Sequence, residues 1–185
     1  MTKIGLVQPG KGSEAQNAFL ASVPPINLFK ALANQPVIAT QVATLGGAIL
    51  YRTELDAKLR ELAILRAAHL AGCTYEIVHH ERIGRDVGLS DAELVAVRTS
   101  DGAAALGADA ALVCAWSEEV QSSGRPSGAT LVTCLDRFGP VQTLELASTV
   151  AYYLMVATLL LTFEIPVEEA GFADGVKINQ RPADV

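Results

Sequence analysis

Apolar side chains recur at helical spacing along most of the chain, and the alternation typical of strands is weak throughout. Glycines at 72, 88 and 139 mark helix ends, and Ser90 and Glu93 form a capping-box pattern that starts a further helix. Asp101 to Gly107 has the small residues of a loop. We predict an all-α protein with helices over 27–33, 36–50, 53–71, 73–87, from 90 onward, 109–121, 129–138 and 140–163.

The ends of the chain are richer in Gly and Pro than the middle. Residues 1–25 are predicted to form an N-terminal arm, extended or with one short helix, that ends at Pro24-Pro25. Residues 26–165 are then expected to form one helical domain, and residues 166–185 a C-terminal tail with two glycines and two prolines.

One segment has the composition of a membrane span. Leu146 to Phe163 runs without a charge, at the lower limit of spanning length, with Glu145 and Glu164 at its ends. It carries several hydroxyl side chains and lacks the Lys/Arg asymmetry that orients membrane helices. We therefore predict a helix buried by its own fold or by a neighbouring subunit, and no membrane partner.

Composition narrows the classes of partner. The net charge is −6 with no basic run, which disfavours nucleic acid because phosphate binding needs clustered Lys and Arg. Three widely spaced cysteines do not form a disulfide framework, so a reducing cytoplasm is the expected location. Half of the residues are apolar, and this surplus is expected to meet another subunit.

The strongest chemical pattern is Cys73, Glu76 and His80. Their spacing places a thiol, a carboxyl and an imidazole on one helix face, in line with apolar Ile83 and Val87. Glu76 and His80 are one turn apart, so we predict a hydrogen bond in which the carboxylate fixes the imidazole tautomer for general acid–base work. The alternative is an ion pair on the helix surface.

Two charged residues on the preceding helix have two interpretations each. Arg66 falls on an apolar face, where it either extends its charge to water or offers a guanidinium to an acidic substrate. Glu61 either pairs in solvent with Lys58 or Arg60, or is a partly buried carboxylate among apolar neighbours. Farther along, Tyr152 and Tyr153 are either core rings or the wall of a pocket.

Thiol and metal chemistry are both less favoured. The position where a resolving cysteine would follow Cys73 holds Glu76, and a carboxylate there raises the pKa of the thiol. Glu76 and His79 have the spacing of a di-iron motif, but the chain's histidines all lie between 69 and 80, which leaves no second pair. We expect no metal and no cofactor.

The run from Arg60 to His80, continued by Gly88 to Leu94, resembles the carboxymuconolactone decarboxylase family, which shares an all-helical fold with the AhpD-like alkylhydroperoxidases. In the peroxidase branch, a Glu is followed by Cys-x-x-Cys and a His four residues later. Glu61, Cys73 and His80 match those positions, and Glu76 replaces the second cysteine. Tyr75 and Glu76, followed by His80, are instead similar to the decarboxylase-like branch.

This resemblance implies a single-domain AhpD-like helical bundle that assembles into homo-oligomers, commonly trimers or hexamers. It implies acid–base decarboxylation of a small carboxylated lactone or related organic acid. His80, Glu76, Cys73 and Glu61 would be catalytic, and Arg66 and Tyr75 would bind substrate. A thiol-dependent hydroperoxidase that uses Cys73, with Cys114 or Cys134 as resolving thiol, is the rival. A non-catalytic oligomeric protein that binds a small ligand is the third possibility.

Overall fold

The computed structural model describes residues 2–168, and in this range the chain forms helices and no strand, which confirms the all-α prediction. The helices are α1 Glu14–Ala21, α2 Asn27–Leu32, α3 Pro36–Tyr51, α4 Ala57–Ala71, α5 Thr74–Asp86, α6 Asp91–Ala96, α7 Ser100–Ala104, α8 Ala108–Ser123 and α9 Gly128–Thr162.

The chain divides into two compact units. Of the described residues, 2–51 and 159–168 form the first unit, and 52–158 form the second. The domain boundaries expected after 25 and after 165 stay a prediction, and most of the tail, from 169 onward, lies outside the described residues.

In the first unit, α1 and α2 pack against α3. Ser13 caps α1 with a reciprocal bond to Gln16, so the predicted arm contains a helix. The rings of Phe19 and Phe29 meet edge to face at 6.0 Å, and Ala39 of α3 belongs to the same core. Small and aromatic side chains thus fill this unit.

The second unit is built around α4, which packs most extensively against α8 and α5. Its core includes Leu62 and Leu65 of α4, Val113 of α8, and Leu146 and Val150 of α9, all of them fully buried or nearly so. A helix that packs on several neighbours has few solvent-facing positions. Polar groups on the middle of α4 are therefore forced inside.

Helix α7 corrects the prediction of a loop over 101–107. The Thr99 hydroxyl accepts a hydrogen bond from the backbone N–H of Gly102, and a short helix follows from Ser100 to Ala104. Gly102 has no room for a side chain, since a Cβ there would lie 2.3 Å from the carbonyl oxygen of Ala96. Close packing at Gly102 and the Thr99 cap make this segment helical, and neither feature is evident from its composition.

The range of α9 contains two helices that meet at Gly139, as the sequence predicts. That glycine has a φ of 73°, and Pro140 follows it, so the helix axis is interrupted there. In the described chain, α9 is the one helix long and apolar enough to cross a membrane by length and composition. A core helix passes the same test, and Leu146 and Val150 do lie in the core, whereas Val141, Leu144 and Met155 are exposed.

Candidate active site

The candidate site lies in the second unit, where α4 and α5 pack against each other. Asp56 caps the start of α4 by accepting from the N–H groups of Lys58 and Leu59, and Gly72 ends it in the left-handed conformation. The chain reverses at this point, and Cys73 is the N-cap of α5. The short connection places the middle of α4 opposite the middle of α5.

Glu61 of α4 and His80 of α5 form the central contact. The Nδ1 atom of His80 lies 2.7 Å from Oε2 of Glu61, and the two side chains are 7% and 0% exposed. The other oxygen of Glu61 accepts from Nε of Arg60 at 3.1 Å, and that guanidinium is buried as well. Since the carboxylate holds Nδ1, the Nε2 atom of His80 is left for proton transfer.

This geometry corrects the predicted hydrogen bond between Glu76 and His80. Glu76 is buried, but neither of its carboxyl oxygens has a hydrogen-bond partner among the described residues. His80 instead bonds to a carboxylate on the adjacent helix, at a sequence separation that helix periodicity does not reveal. The interpretation of Glu61 as a buried carboxylate is the one that the structure adopts.

Burial changes the chemistry of Glu76, whose carboxyl has the Cys73 thiol as a polar neighbour. Removal from water raises the pKa of its carboxyl from 4.5 to about 8, because the charged form loses its hydration. Glu76 is therefore mostly a neutral carboxylic acid at neutral pH, able to donate a proton or a hydrogen bond. The predicted bond to His80 required an ionised Glu76, and the structure gives this residue neither that partner nor that charge; its catalytic role stays a prediction.

Two tyrosines of α9 complete the surroundings of the imidazole. The Tyr153 ring meets His80 edge to face at 4.6 Å, and Tyr152 meets Tyr153 in the same way at 5.1 Å. Burial and the nearby charge of Glu61 hold the pKa of Tyr153 well above its usual value, so its hydroxyl stays neutral. Both rings are buried, which excludes water from one side of His80.

Cys73 lies at the start of α5 as a buried free thiol. Burial, and next the charge of Glu76, raise the pKa of this thiol to about 11, so the nucleophilic thiolate is scarce at neutral pH. Burial likewise raises the pKa of Cys114 to about 12 and of Cys134 to about 11, and both are also free and buried. None of the three thiols has the environment of an activated nucleophile.

Arg66 is predicted to hold a substrate carboxylate, but in the structure its guanidinium is hydrogen-bonded to groups of the protein itself. Its Nε donates to Glu118 at 2.7 Å and its Nη2 to the Ser100 hydroxyl at 2.7 Å. Its Nη1 donates to the carbonyl oxygens of Val97 and Arg98. The guanidinium thus joins α4 to α8 and to the segment between α6 and α7, and the role expected for it in substrate binding is not supported by this geometry.

Tyr75 is buried on the first turn of α5. Its ring stacks on that of His79 at a centroid distance of 4.4 Å, with 15° between the planes. Its predicted part in substrate binding stays a prediction. Among residues 2–168, no group of three or more His, Cys, Asp and Glu side chains is arranged to hold a metal ion.

Arg60 is the site residue that sequence reasoning underestimated. The sequence suggests for Arg60 only a surface pairing with Glu61, yet this residue is 4% exposed. Ile64 and Ala67, one and two turns farther along α4, are fully buried or nearly so. This helical spacing from buried positions was the available signal, since residues on one face share the same environment.

The comparisons with known proteins agree with this fold. Residues 36–119 match the model of the carboxymuconolactone decarboxylase family. One similar crystal structure is described as an alkylhydroperoxidase AhpD core, an uncharacterized peroxidase-related protein from Ralstonia eutropha JMP134. Its TM-score is 0.78 at 14% sequence identity, and the match covers 92% of this chain and 94% of that chain. An uncharacterized peroxidase-related protein from Silicibacter sp. TM1040 has a TM-score of 0.78 at 13% identity, with coverage of 93% and 94%.

At such low identity the two structures establish the fold alone. None of the curated proteins is a significant match to the chain. The family match includes α4, α5 and α8, and therefore Arg60, Glu61, Glu76 and His80. The resemblance found in the sequence is thereby confirmed, and the chain carries a carboxymuconolactone decarboxylase family segment on an AhpD-like helical fold.

Proposed function

We propose that this protein is an enzyme that decarboxylates a small carboxylated lactone, or a related organic acid, by acid–base catalysis without a cofactor. The observation that carries the proposal is the buried contact of 2.7 Å between Glu61 and His80. A carboxylate that holds one imidazole nitrogen inside the fold leaves the other to move a proton. The family match supports an enzyme of this general kind.

The chemistry divides between His80 and Glu76. When the bond between the ring carbon and its carboxylate breaks, carbon dioxide leaves and the electron pair is delocalised onto the conjugated carbonyl oxygen of the lactone. The neutral carboxyl of Glu76 donates a hydrogen bond to that oxygen as its charge develops. His80 takes a proton from water at Nε2 and gives it to carbon, which returns the imidazole to its resting Nδ1–H form.

Glu61 acts through His80. It fixes the tautomer by accepting from Nδ1, and its negative charge stabilises the imidazolium that the reaction needs. Arg60 keeps that carboxylate paired from its other side. The buried rings of Tyr152 and Tyr153 limit access of water to the imidazole, which strengthens these interactions.

The test is turnover of a panel of carboxylated butenolides, with release of carbon dioxide measured in deuterated water. We expect release by the wild type, with deuterium at the former carboxyl carbon. His80→Gln should lower kcat by about 10²–10⁴-fold, since general acid–base catalysis contributes that much. His69→Gln, which changes a histidine on the neighbouring helix α4, is the matched control and should keep turnover. Full activity of His80→Gln, or no release from any lactone by the wild type, would contradict the proposal.

The rival is a thiol-dependent hydroperoxidase, which the peroxidase-related descriptions of the two similar structures bring to this chain. The Cys73 thiolate would attack the peroxide, release water or an alcohol, and become a sulfenic acid that a second thiol reduces. The pKa of about 11, set by burial and Glu76, argues against it. Peroxide consumption that is lost in Cys73→Ser and survives Glu76→Gln would establish the rival.

A further inference from the structure

The guanidinium of Arg60 has more hydrogen-bond donors than the described chain uses. Its side chain is 5% exposed, and Nε donates to Glu61 at 3.1 Å. Within residues 2–168 this is its single side-chain hydrogen bond, so Nη1 and Nη2 have no acceptor there. Unlike the unpaired oxygens of Glu76, these two nitrogens are not fully buried, so their N–H groups remain accessible to water or to a ligand.

Arg66, two turns farther along α4, shows what full pairing looks like in the same protein. Both residues are 4% exposed. Every nitrogen of the Arg66 guanidinium donates, to Glu118, to Ser100 and to two backbone carbonyls. Arg66 is therefore a structural arginine, whereas the terminal N–H groups of Arg60 have no acceptor within residues 2–168.

Arg60 also lies next to the proton-transfer group. The two oxygens of the Glu61 carboxylate hold Nε of Arg60 and Nδ1 of His80, so guanidinium and imidazole flank one carboxylate. The charge of Arg60 acts on the hydroxyl of Tyr153, whose ring contacts His80. The buried carboxyl of Glu76 also acts electrostatically on Tyr153.

From this arrangement we propose that Arg60 binds a carboxylate of the ligand through Nη1 and Nη2, which is the role predicted for Arg66. A planar guanidinium presents two parallel N–H groups that match the two oxygens of a carboxylate. The identification of that ligand as the substrate rests on the proposed function. The binding itself does not, because it requires no turnover.

The experiment is calorimetric titration of the protein with 2-furoate, an unreactive ring carboxylate, and with 2-furamide, its neutral isostere. We expect the wild type to bind 2-furoate at least tenfold more tightly than 2-furamide, with an affinity that falls as salt rises. Arg60→Lys keeps the positive charge and the pairing with Glu61 but removes the two parallel N–H groups of the guanidinium. This variant should therefore bind 2-furoate at least tenfold more weakly. Arg125→Gln, which removes an exposed arginine, is the control and should bind as the wild type does.

Arg60→Gln should abolish the preference for the acid over the amide, provided that circular dichroism shows a folded protein. Should that variant not fold, Arg60→Lys and the comparison of acid with amide in the wild type decide the question. Equal affinity for 2-furoate and 2-furamide, no 2-furoate binding by the wild type, or unchanged binding in Arg60→Lys would overturn the proposal. Binding that depends on Arg60 without any release of carbon dioxide would contradict the decarboxylase alone.

Discussion

The carboxylate of Glu61 holds the imidazole of His80 by its Nδ1 atom at 2.7 Å, although the two residues lie on different helices. Both side chains are buried, so water does not compete for this contact. The pair therefore fixes which nitrogen of His80 carries the proton at rest, and it does so before any ligand binds.

Replacement of Glu61 tests this orientation directly. Glu61→Gln keeps the size of the side chain but removes the charge that favours the proton on Nδ1. We expect nitrogen NMR of the His80 ring to show mainly the Nδ1–H tautomer in the wild type and a mixture of tautomers in the variant. An unchanged tautomer in Glu61→Gln would show that another group orients the ring.

Turnover should show that the same pair acts as a unit. Glu61→Gln and His80→Gln should each lower kcat, and the double variant should be no slower than His80→Gln alone, because residues that act together are not additive. Steady-state rates on one substrate measure this. Independent, multiplicative losses would mean that Glu61 has a role apart from His80.

The raised pKa of Glu76 predicts a stability that falls as pH rises. Below pH 4.5 its carboxyl is protonated in the folded and unfolded chain alike. Between 4.5 and about 8 the unfolded chain loses the proton while the folded chain keeps it, so the free energy of unfolding decreases. Relative to wild type, Glu76→Gln should gain on the order of 4 kcal/mol between pH 4 and 8 in urea unfolding.

Glu119 provides a control of opposite sign. Its pKa is lowered, first by the hydrogen bond that its carboxylate accepts from the backbone N–H of Ser127. The ionised carboxylate of Glu119 stabilises the folded protein above the unfolded pKa, and this stabilisation is lost as pH falls. The decrease in unfolding free energy caused by Glu119→Gln should therefore become smaller toward acid pH. A difference for Glu76→Gln that did not change with pH would mean that Glu76 ionises normally in the folded protein.

Activity should also fall as pH rises through about 8. Glu76 can donate a hydrogen bond to the developing oxyanion while it is protonated, and it loses that ability when it ionises. A profile of kcat against pH measures the descending limb. Glu76→Gln should lose this limb, because its amide donates at any pH, and a limb that persisted there would belong to another group.

Cys73 should react slowly with iodoacetamide at neutral pH, since burial and Glu76 raise the pKa of its thiol to about 11. Mass spectrometry of the alkylated peptide at several pH values gives the rate. Above about pH 8, where Glu76 is ionised, Glu76→Gln should increase that rate, because a neighbouring negative charge is removed. Fast alkylation of the wild type at pH 7 would contradict the assignment and favour peroxidase chemistry.

Arg66 should matter for folding more than for ligand binding. Arg66→Met leaves the carboxylate of Glu118 without its cation and leaves two backbone carbonyls without a donor. The Glu118 side chain is 31% exposed, so most of the loss comes from the unpaired carbonyls, at about 1–3 kcal/mol for each, which urea unfolding would detect. A variant as stable as the wild type would show that this network is unimportant.

The elements of the fold were largely readable from the sequence, because each depends on neighbours within a few residues. Gly72 ends α4 in a conformation that glycine adopts without strain, and Ser90 with Glu93 caps α6 as their spacing predicts. The missed helix, α7, depends on a Thr99 cap and on close packing of Gly102 against Ala96. Such contacts become visible only when the chain is folded.

The sequence by itself determined the all-α class, the family segment, and the presence of Glu61, Cys73, Glu76 and His80 together in one short stretch. Helix periodicity carries that information, since it relates residues on one face of one helix. The tertiary structure decided which of these groups meet. It pairs His80 with Glu61 and buries the carboxyl of Glu76, which therefore stays neutral. The Arg66 guanidinium is fully hydrogen-bonded within the protein, whereas Arg60 has terminal N–H groups without an acceptor in residues 2–168. Partners and burial depend on the packing of one helix against another, which helix periodicity does not show.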